Sequence, residues 1–342
     1  MLCYNQFANH SQEEIIMKKM FLPLIIVFII VTLYACTPSK KADIVTTMFV
    51  QYDFSKQIVK DKMTVSLLIP PGAEVHSYEA SIKDMEAIQE AKLFIFTSLE
   101  IDTWIKDPST IGGSQTIVMN LSEYVHVPEH DHEHDHVHTK ALALDDHDDD
   151  DHDHDDLLHY WVDPLIAIEL IEEILEKIVL IDPANETFYR DNAHHYIEEI
   201  HELHVSFDTY LRGLPVSISP KVYFAGHNAM GLFGERYHIE IVSLFANFKP
   251  DAELIPTELI VFTNLVKDAN THVLFIEELV EPRAARQIQN ELSRNGYELK
   301  LLVLHGYHNL SKQEMKQQMS YLDLFQQNIN HLKEALTNHD SL

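Results

Sequence analysis

The chain has 342 residues, 46% of them hydrophobic, with 54 acidic against 25 basic side chains and a formal net charge of -29. That balance excludes nucleic acid as a partner, because phosphate binding needs a basic face, and it suits a cation as ligand. Two cysteines against 23 histidines exclude a disulfide scaffold and a thiolate metal site, so any bound metal must be held by imidazole and carboxylate.

Residues 1–16 read as an upstream extension, with Met17 the better start. Met17-Lys18-Lys19-Met20 opens a basic region, and the apolar run Phe21 to Leu33 is too short for a comfortable membrane span. This is the layout of a signal peptide over residues 17–35. Its end, Leu33-Tyr34-Ala35-Cys36, resembles the bacterial lipobox, in which the cysteine is lipidated and becomes the mature N-terminus. Residues 36–42 then form a polar tether. The body is expected to face outward, on the outer side of the cytoplasmic membrane, and stable anchoring there takes more than one acyl chain.

From residue 43 the sequence alternates strand-like and helix-like segments. Ile44 to Val50 is a β-rich run, and Ser55 to Val59 opens a helical stretch. Val65 to Ile69 is a compact strand stopped by Pro70-Pro71-Gly72. Ser81 to Glu90 has helical spacing, with Ile82, Met85 and Ile88 on one stripe, and Leu93 to Phe96 and Thr116 to Leu121 read as buried strands. Residues 126–158 break the pattern. They are nearly all His, Asp and Glu and cannot bury a core, so a disordered loop is expected. Helical patterns return over Leu165 to Ile181 and Ala184 to Leu211. Strands then follow at Val222 to Ala225, Ile239 to Leu244, Val273 to Ile276 and Leu299 to Leu304. Helices fall between them at Met230 to Tyr237, Thr257 to Lys267 and Pro282 to Asn295, and Lys312 to Leu336 is one closing helix.

Strands alternating with helices imply βαβ units and mostly parallel sheets flanked by helices. The expected fold is α/β, with two similar lobes: an N-terminal lobe over 43–183, a linking helix over 184–213 and a C-terminal lobe over 214–342. A ligand then belongs in the interlobe cleft, outside the carboxyl ends of the strands. Histidines stand at such places. His76 follows the Val65–Ile69 strand, His159 opens the helix after the acidic loop, His227 follows Val222–Ala225, and His308 follows Leu299–Leu304 with His305 as fallback. Imidazole nitrogens in a tetrahedral shell suit Zn²⁺, whereas Mn²⁺ favours more carboxylate.

These residues carry a resemblance. Pro71-Gly72-Ala73-Glu74-Val75-His76-Ser77-Tyr78-Glu79, His159-Tyr160-Trp161-Val162-Asp163-Pro164 and Gly226-His227-Asn228-Ala229 are similar to the three ligand segments of the solute-binding lipoproteins of bacterial zinc and manganese ABC transporters. The likeness runs through Met48–Glu100, His159–Ala184, Tyr223–Leu244 and Phe275–Leu332. It implies two lobes joined by one rigid long helix, metal between them, and delivery to a membrane permease driven by an ATPase, with the binding protein a monomer. In that family a third-ligand histidine goes with zinc and a glutamate with manganese, so His227 favours zinc. Glu74, Asp163 and Glu277 are candidates for fixing the imidazole tautomers, and Trp161 reads either as cleft wall or as core.

The zinc members of the family often carry a His-rich loop before the second ligand. Here His130, His132, His134, His136 and His138, then His147, His152 and His154, alternate with acidic residues. Such tracts bind metal, and tethering one at the mouth of a site raises the local Zn²⁺ concentration. Two other readings exist besides a manganese-binding homologue. An enzyme could use three histidines and a water on zinc, but no His-Glu-x-x-His base motif is present and a fourth histidine closes the shell. A metal store or surface adhesin would make the loop the main function and hold many metals alike.

Overall fold

The computed structural model describes residues 41–126, 156–216, 218–227, 229–245 and 256–337. The signal region, Cys36 and the loop histidines 130–154 lie outside these residues. Within them, β1 (Ile44–Thr46), β2 (Val65–Leu67), β3 (Leu93–Phe96) and β4 (Ile117–Asn120) form one sheet in the order β2-β1-β3-β4. The strands β5 (Lys221–His227), β6 (Glu240–Phe245), β7 (Val273–Ile276) and β8 (Lys300–Val303) form a second in the order β6-β5-β7-β8. Every pairing is parallel. A parallel sheet is covered on both faces, which is why Leu93-Phe94-Ile95-Phe96 is apolar without alternation and buried throughout. In both sheets the chain leaves the first strand to one side and returns on the other. Each sheet therefore has a switch point at its carboxyl ends, between β1 and β3 and between β5 and β7.

The helices are α1 (Phe49–Val59), α2 (Ile82–Glu90), α3 (Pro108–Ile111), α4 (Pro164–Ile181) and α5 (Glu186–Arg212), then α6 (Gly231–Tyr237), α7 (Pro256–Asp268), α8 (Arg283–Arg294), α9 (Lys312–Gln317) and α10 (Tyr321–Thr337). Asp163 caps α4 by accepting the Leu165 N–H at 2.8 Å, and Pro164 occupies the first turn, where its missing N–H costs nothing. The helix α5 has 27 residues, about 40 Å at 1.5 Å per residue, and joins the lobes. Its buried residues Tyr189, Ala193, Tyr196, Ile200, Phe207 and Leu211 lie at helical spacing on one stripe. That stripe enters a core continuous between the lobes, which takes in Phe54 of α1, Ile174 of α4, Phe233 of α6 and Phe325 of α10.

Three local expectations are corrected. The Ile44 to Val50 run is strand only to Thr46, because α1 already begins at Phe49. Ile82 is 83% exposed at the first position of α2, off the stripe that buries Ile88. The closing helix is two helices, since Gln318 takes a left-handed conformation with φ 57° and ends α9. Ser320 then caps α10 by accepting the Asp323 N–H at 3.1 Å, while Asp323 accepts the Ser320 N–H at 2.8 Å.

Candidate metal centre

His76, His159, His227 and His308 converge, and one ligand-capable atom of each lies within 4.8 Å of the others. The ring centroids of all pairs are 5.0 to 5.9 Å apart. His159 Nε2 stands 3.4 Å from His227 Nε2. A tetrahedral zinc shell with Zn–N bonds of about 2.0–2.1 Å has an N···N edge of about 3.4 Å, so these atoms sit where two vertices belong. The donor set is entirely nitrogen. His159, His227 and His308 are buried and His76 is half-buried.

Local sequence explains each placement. The Pro70-Pro71-Gly72 stop turns the chain after β2, with Gly72 at φ 86°, where a side chain would be strained. The next turn presents His76, and Glu74 secures it by accepting the N–H groups of His76 and Ser77 at 2.7 and 2.8 Å. His159 sits in a short 3-10 segment, Asp156–Val162, directly before the capped start of α4. His227 ends β5 past a register shift between Phe224 and His227, a bulge that re-aims the side chain. A Cβ on Gly226 would lie 2.8 Å from the Phe224 ring and 3.2 Å from Glu277 Oε2, so only glycine fits there. His308 follows β8 after Tyr307, whose φ of 61° is rare for a bulky residue.

Carboxylates fix two of the rings. Glu277 Oε1 lies 2.7 Å from His227 Nδ1, and Glu278 Oε1 lies 2.8 Å from His308 Nδ1. With the His308 Nδ1–H donating to Glu278, its Nε2 carries the lone pair toward the centre. His308 Nε2 is buried and has no hydrogen-bond partner among the described residues. Glu278 also accepts the Gly306 N–H at 2.9 Å. It was missed in the sequence, although its position next to Glu277 at the end of β7 was the available signal. Of the other expected supports, Glu74 holds backbone, and Asp163 caps α4 and accepts Arg236 Nη2 at 2.6 Å. That ion pair ties α4 to α6; it does not orient an imidazole. His159 Nδ1 is buried with no hydrogen-bond partner among the described residues; its ring stands edge-on to Trp161 at 5.4 Å. Trp161 is cleft wall and core at once. It is fully buried, also lies edge-on to His308 at 5.6 Å, and donates its Nε1–H to the Gly306 carbonyl at 2.8 Å. The fallback His305 is not part of the cluster, and its Nδ1 accepts the Tyr307 N–H at 2.8 Å.

Burial pushes the His76 imidazole down to about 3, helped by the neighbouring His308 and His227. Burial likewise holds His159 well below its ordinary value. Both are therefore neutral at pH 7, the form that binds metal. Burial works on His308 in the same direction, but the Glu278 carboxylate outweighs it and leaves that ring above its ordinary value. Glu278 is held well below the usual carboxylate range; burial opposes this, and His305, His308 and the Gly306 N–H overcome it.

Two lobes of matching parallel topology, with an imidazole cluster able to hold a metal ion between them, place the chain among two-lobed α/β binding proteins. It belongs to the family of the periplasmic component A of zinc-uptake complexes, whose model matches residues 44–335. The high-affinity zinc uptake system protein ZnuA of Bacillus subtilis is 31% identical over 297 residues, 86% of this chain and 88% of that protein. The zinc-binding lipoprotein AdcA of Streptococcus pneumoniae is 29% identical over 89% of this chain, which spans 58% of that longer protein. The Zn(II)-bound ZnuA-like domain of Streptococcus pneumoniae AdcA superposes with a TM-score of 0.67 and 25% identity, over 86% of this chain and 99% of the domain.

Proposed function

We propose that this protein captures one Zn²⁺ with His76, His159, His227 and His308 and delivers it to an ABC-transporter permease for uptake, from an extracytoplasmic position held by a lipid on Cys36. The observation that carries the reading is the convergence of four imidazoles between the lobes, with ligand atoms within 4.8 Å of one another and the His159–His227 pair at 3.4 Å. The all-nitrogen donor set favours zinc over manganese, which takes more oxygen. The zinc named in the relatives' descriptions supports the same cargo. Because each lobe supplies two ligands, binding ties the lobes together, and release requires one ligand-bearing loop to withdraw.

Zinc titration against a competing chelator tests this. The full chain should take up one tight zinc, and His76→Ala, His159→Ala and His227→Ala should each abolish that site. Retention of tight zinc by all three would sink the proposal. A chain lacking residues 127–155 should keep the tight site and lose only weaker binding, as expected of an accessory loop. Mass spectrometry of the membrane-extracted protein reads the anchor, where an acylated Cys36 terminus is expected and a free Met1 terminus would refute it.

A further inference from the structure

His76 is the most exposed of the four histidines, and the segment that carries it, residues 70–81, contains no helix or strand. Its first turn is moored to the segment directly after His308. Asn309 donates both hydrogens of Nδ2, one to the Pro70 carbonyl at 2.8 Å and one to the Ala73 carbonyl at 3.0 Å. Its Oδ1 accepts the Leu310 N–H at 2.9 Å, so the amide is held in one orientation. The Leu310 carbonyl in turn accepts the Gly72 N–H at 2.7 Å. Asn309 is fully buried, which makes these bonds costly to leave unmade.

The His308 side of this junction is fixed independently. The His308 carbonyl accepts the Phe49 N–H at 3.3 Å, and its ring is held by Glu278 at 2.8 Å. Trp161 donates to the Gly306 carbonyl and Glu278 accepts the Gly306 N–H. The His308 segment is thus held from several sides, whereas the first turn of the His76 loop is tied to it through Asn309 and Leu310, and the rest of the loop through Val75 in the core and the Tyr78 hydroxyl on Asp84.

We infer that Asn309 is a positioning residue: a latch that docks the His76 loop onto the His308 segment and sets the rate at which zinc escapes, with His76 the first ligand to withdraw. The hydrogen bonds its side chain makes among the described residues all reach backbone atoms. Its two donated bonds raise the cost of lifting the loop by about the worth of two neutral buried hydrogen bonds, roughly thirty-fold in rate. The inference rests on the proposed zinc-binding function.

Asn309→Asp tests it. The variant keeps the acceptor for the Leu310 N–H but sets an oxygen against the Pro70 and Ala73 carbonyls. Zinc-loaded full chain is mixed with excess chelator and release is followed by stopped flow, with amide exchange measured in parallel. The variant should still bind one zinc, release it roughly thirty-fold faster, and exchange faster over residues 70–78 while other regions are unchanged. Release at the parent rate would overturn the latch, as would exchange that accelerates uniformly through the fold. Should Asn309→Asp not fold, Asn309→Ser, which retains one donor, is read by the same two measurements. If the parent chain itself holds no tight zinc, the functional proposal has failed and the latch falls with it. A tight parent site with an unaltered variant refutes the latch alone.

Discussion

Glu278→Gln removes a negative charge from beneath the cleft with little change in side-chain size. The carboxylate accepts the His308 Nδ1–H at 2.8 Å and the Gly306 N–H at 2.9 Å. Hydrogen bonds to a charged group contribute about 1 kcal/mol more than neutral ones. Glutamine offers one oxygen where the carboxylate offers two, so one bond becomes neutral and the other is lost, which should weaken the support of His308 by at least about 2 kcal/mol, a loss of roughly thirty-fold or more in zinc affinity at neutral pH. That falls inside the range for outer partners of metal-bound histidines, about 10–100-fold. A second effect has the opposite sign. Glu278 holds the His308 imidazole above its ordinary value, so protons compete with metal for this ring. The glutamine variant lowers that value, and its affinity should begin to fall only at a lower pH. Chelator competition at several pH values between roughly 5.5 and 7.5 reads both effects. An unchanged neutral-pH affinity, or an acid limb displaced upward, would refute the reasoning.

Two further outcomes are expected. The stability of the metal-free protein should fall on acidification. His76 is depressed to about 3 in the fold, while the unfolded chain titrates near 6.5, so its contribution is complete above that pH and lost as pH drops toward the folded value. At pH 5 the loss is about 2 kcal/mol, His159 adds to it in the same sense, and His308, shifted upward, opposes it. Thermal unfolding of the parent and of His76→Asn measures this, and parallel pH profiles for the two would count against it. Asp163→Asn should cost about 2 kcal/mol of stability by weakening the contact with Arg236 Nε and Nη2. It should keep one tight zinc, and loss of zinc with stability intact would show that Asp163 acts on the site directly.

Much of the architecture is written locally. Asp163-Pro164 marks the start of α4 by a cap and a ring-locked first turn, and Ser81 with Asp84 does the same for α2. The unbroken apolar run of β3 announces a parallel sheet. The break between α9 and α10 is equally visible, in Ser320 with Asp323, but helical periodicity on both sides of it reads as one helix. The site divides in the same manner. Position at a strand end, or for His159 at a helix start, singles out His76, His159, His227 and His308, which the fold brings together. The choice between His305 and His308 turns on which way a loop folds back, and that depends on Glu278, Trp161 and Asn328. These contacts span 21 to 145 positions of sequence, and no spacing rule reaches them. Glu74 and Asp163 were legible as acidic neighbours, whereas their partners, backbone N–H groups and Arg236, were not.

The four histidines are spread from position 76 to position 308 and meet only in the folded chain, so no short fragment can assemble them. Zinc is then a ligand of the finished fold alone, and by mass action it withdraws molecules from every partly unfolded population. At free metal a thousand times the dissociation constant that shift is about 4 kcal/mol, enough to make the loaded protein markedly slower to be degraded than the empty one wherever proteolysis proceeds through opened states. Abundance of the protein would then track the supply of its own cargo, without any dedicated sensor.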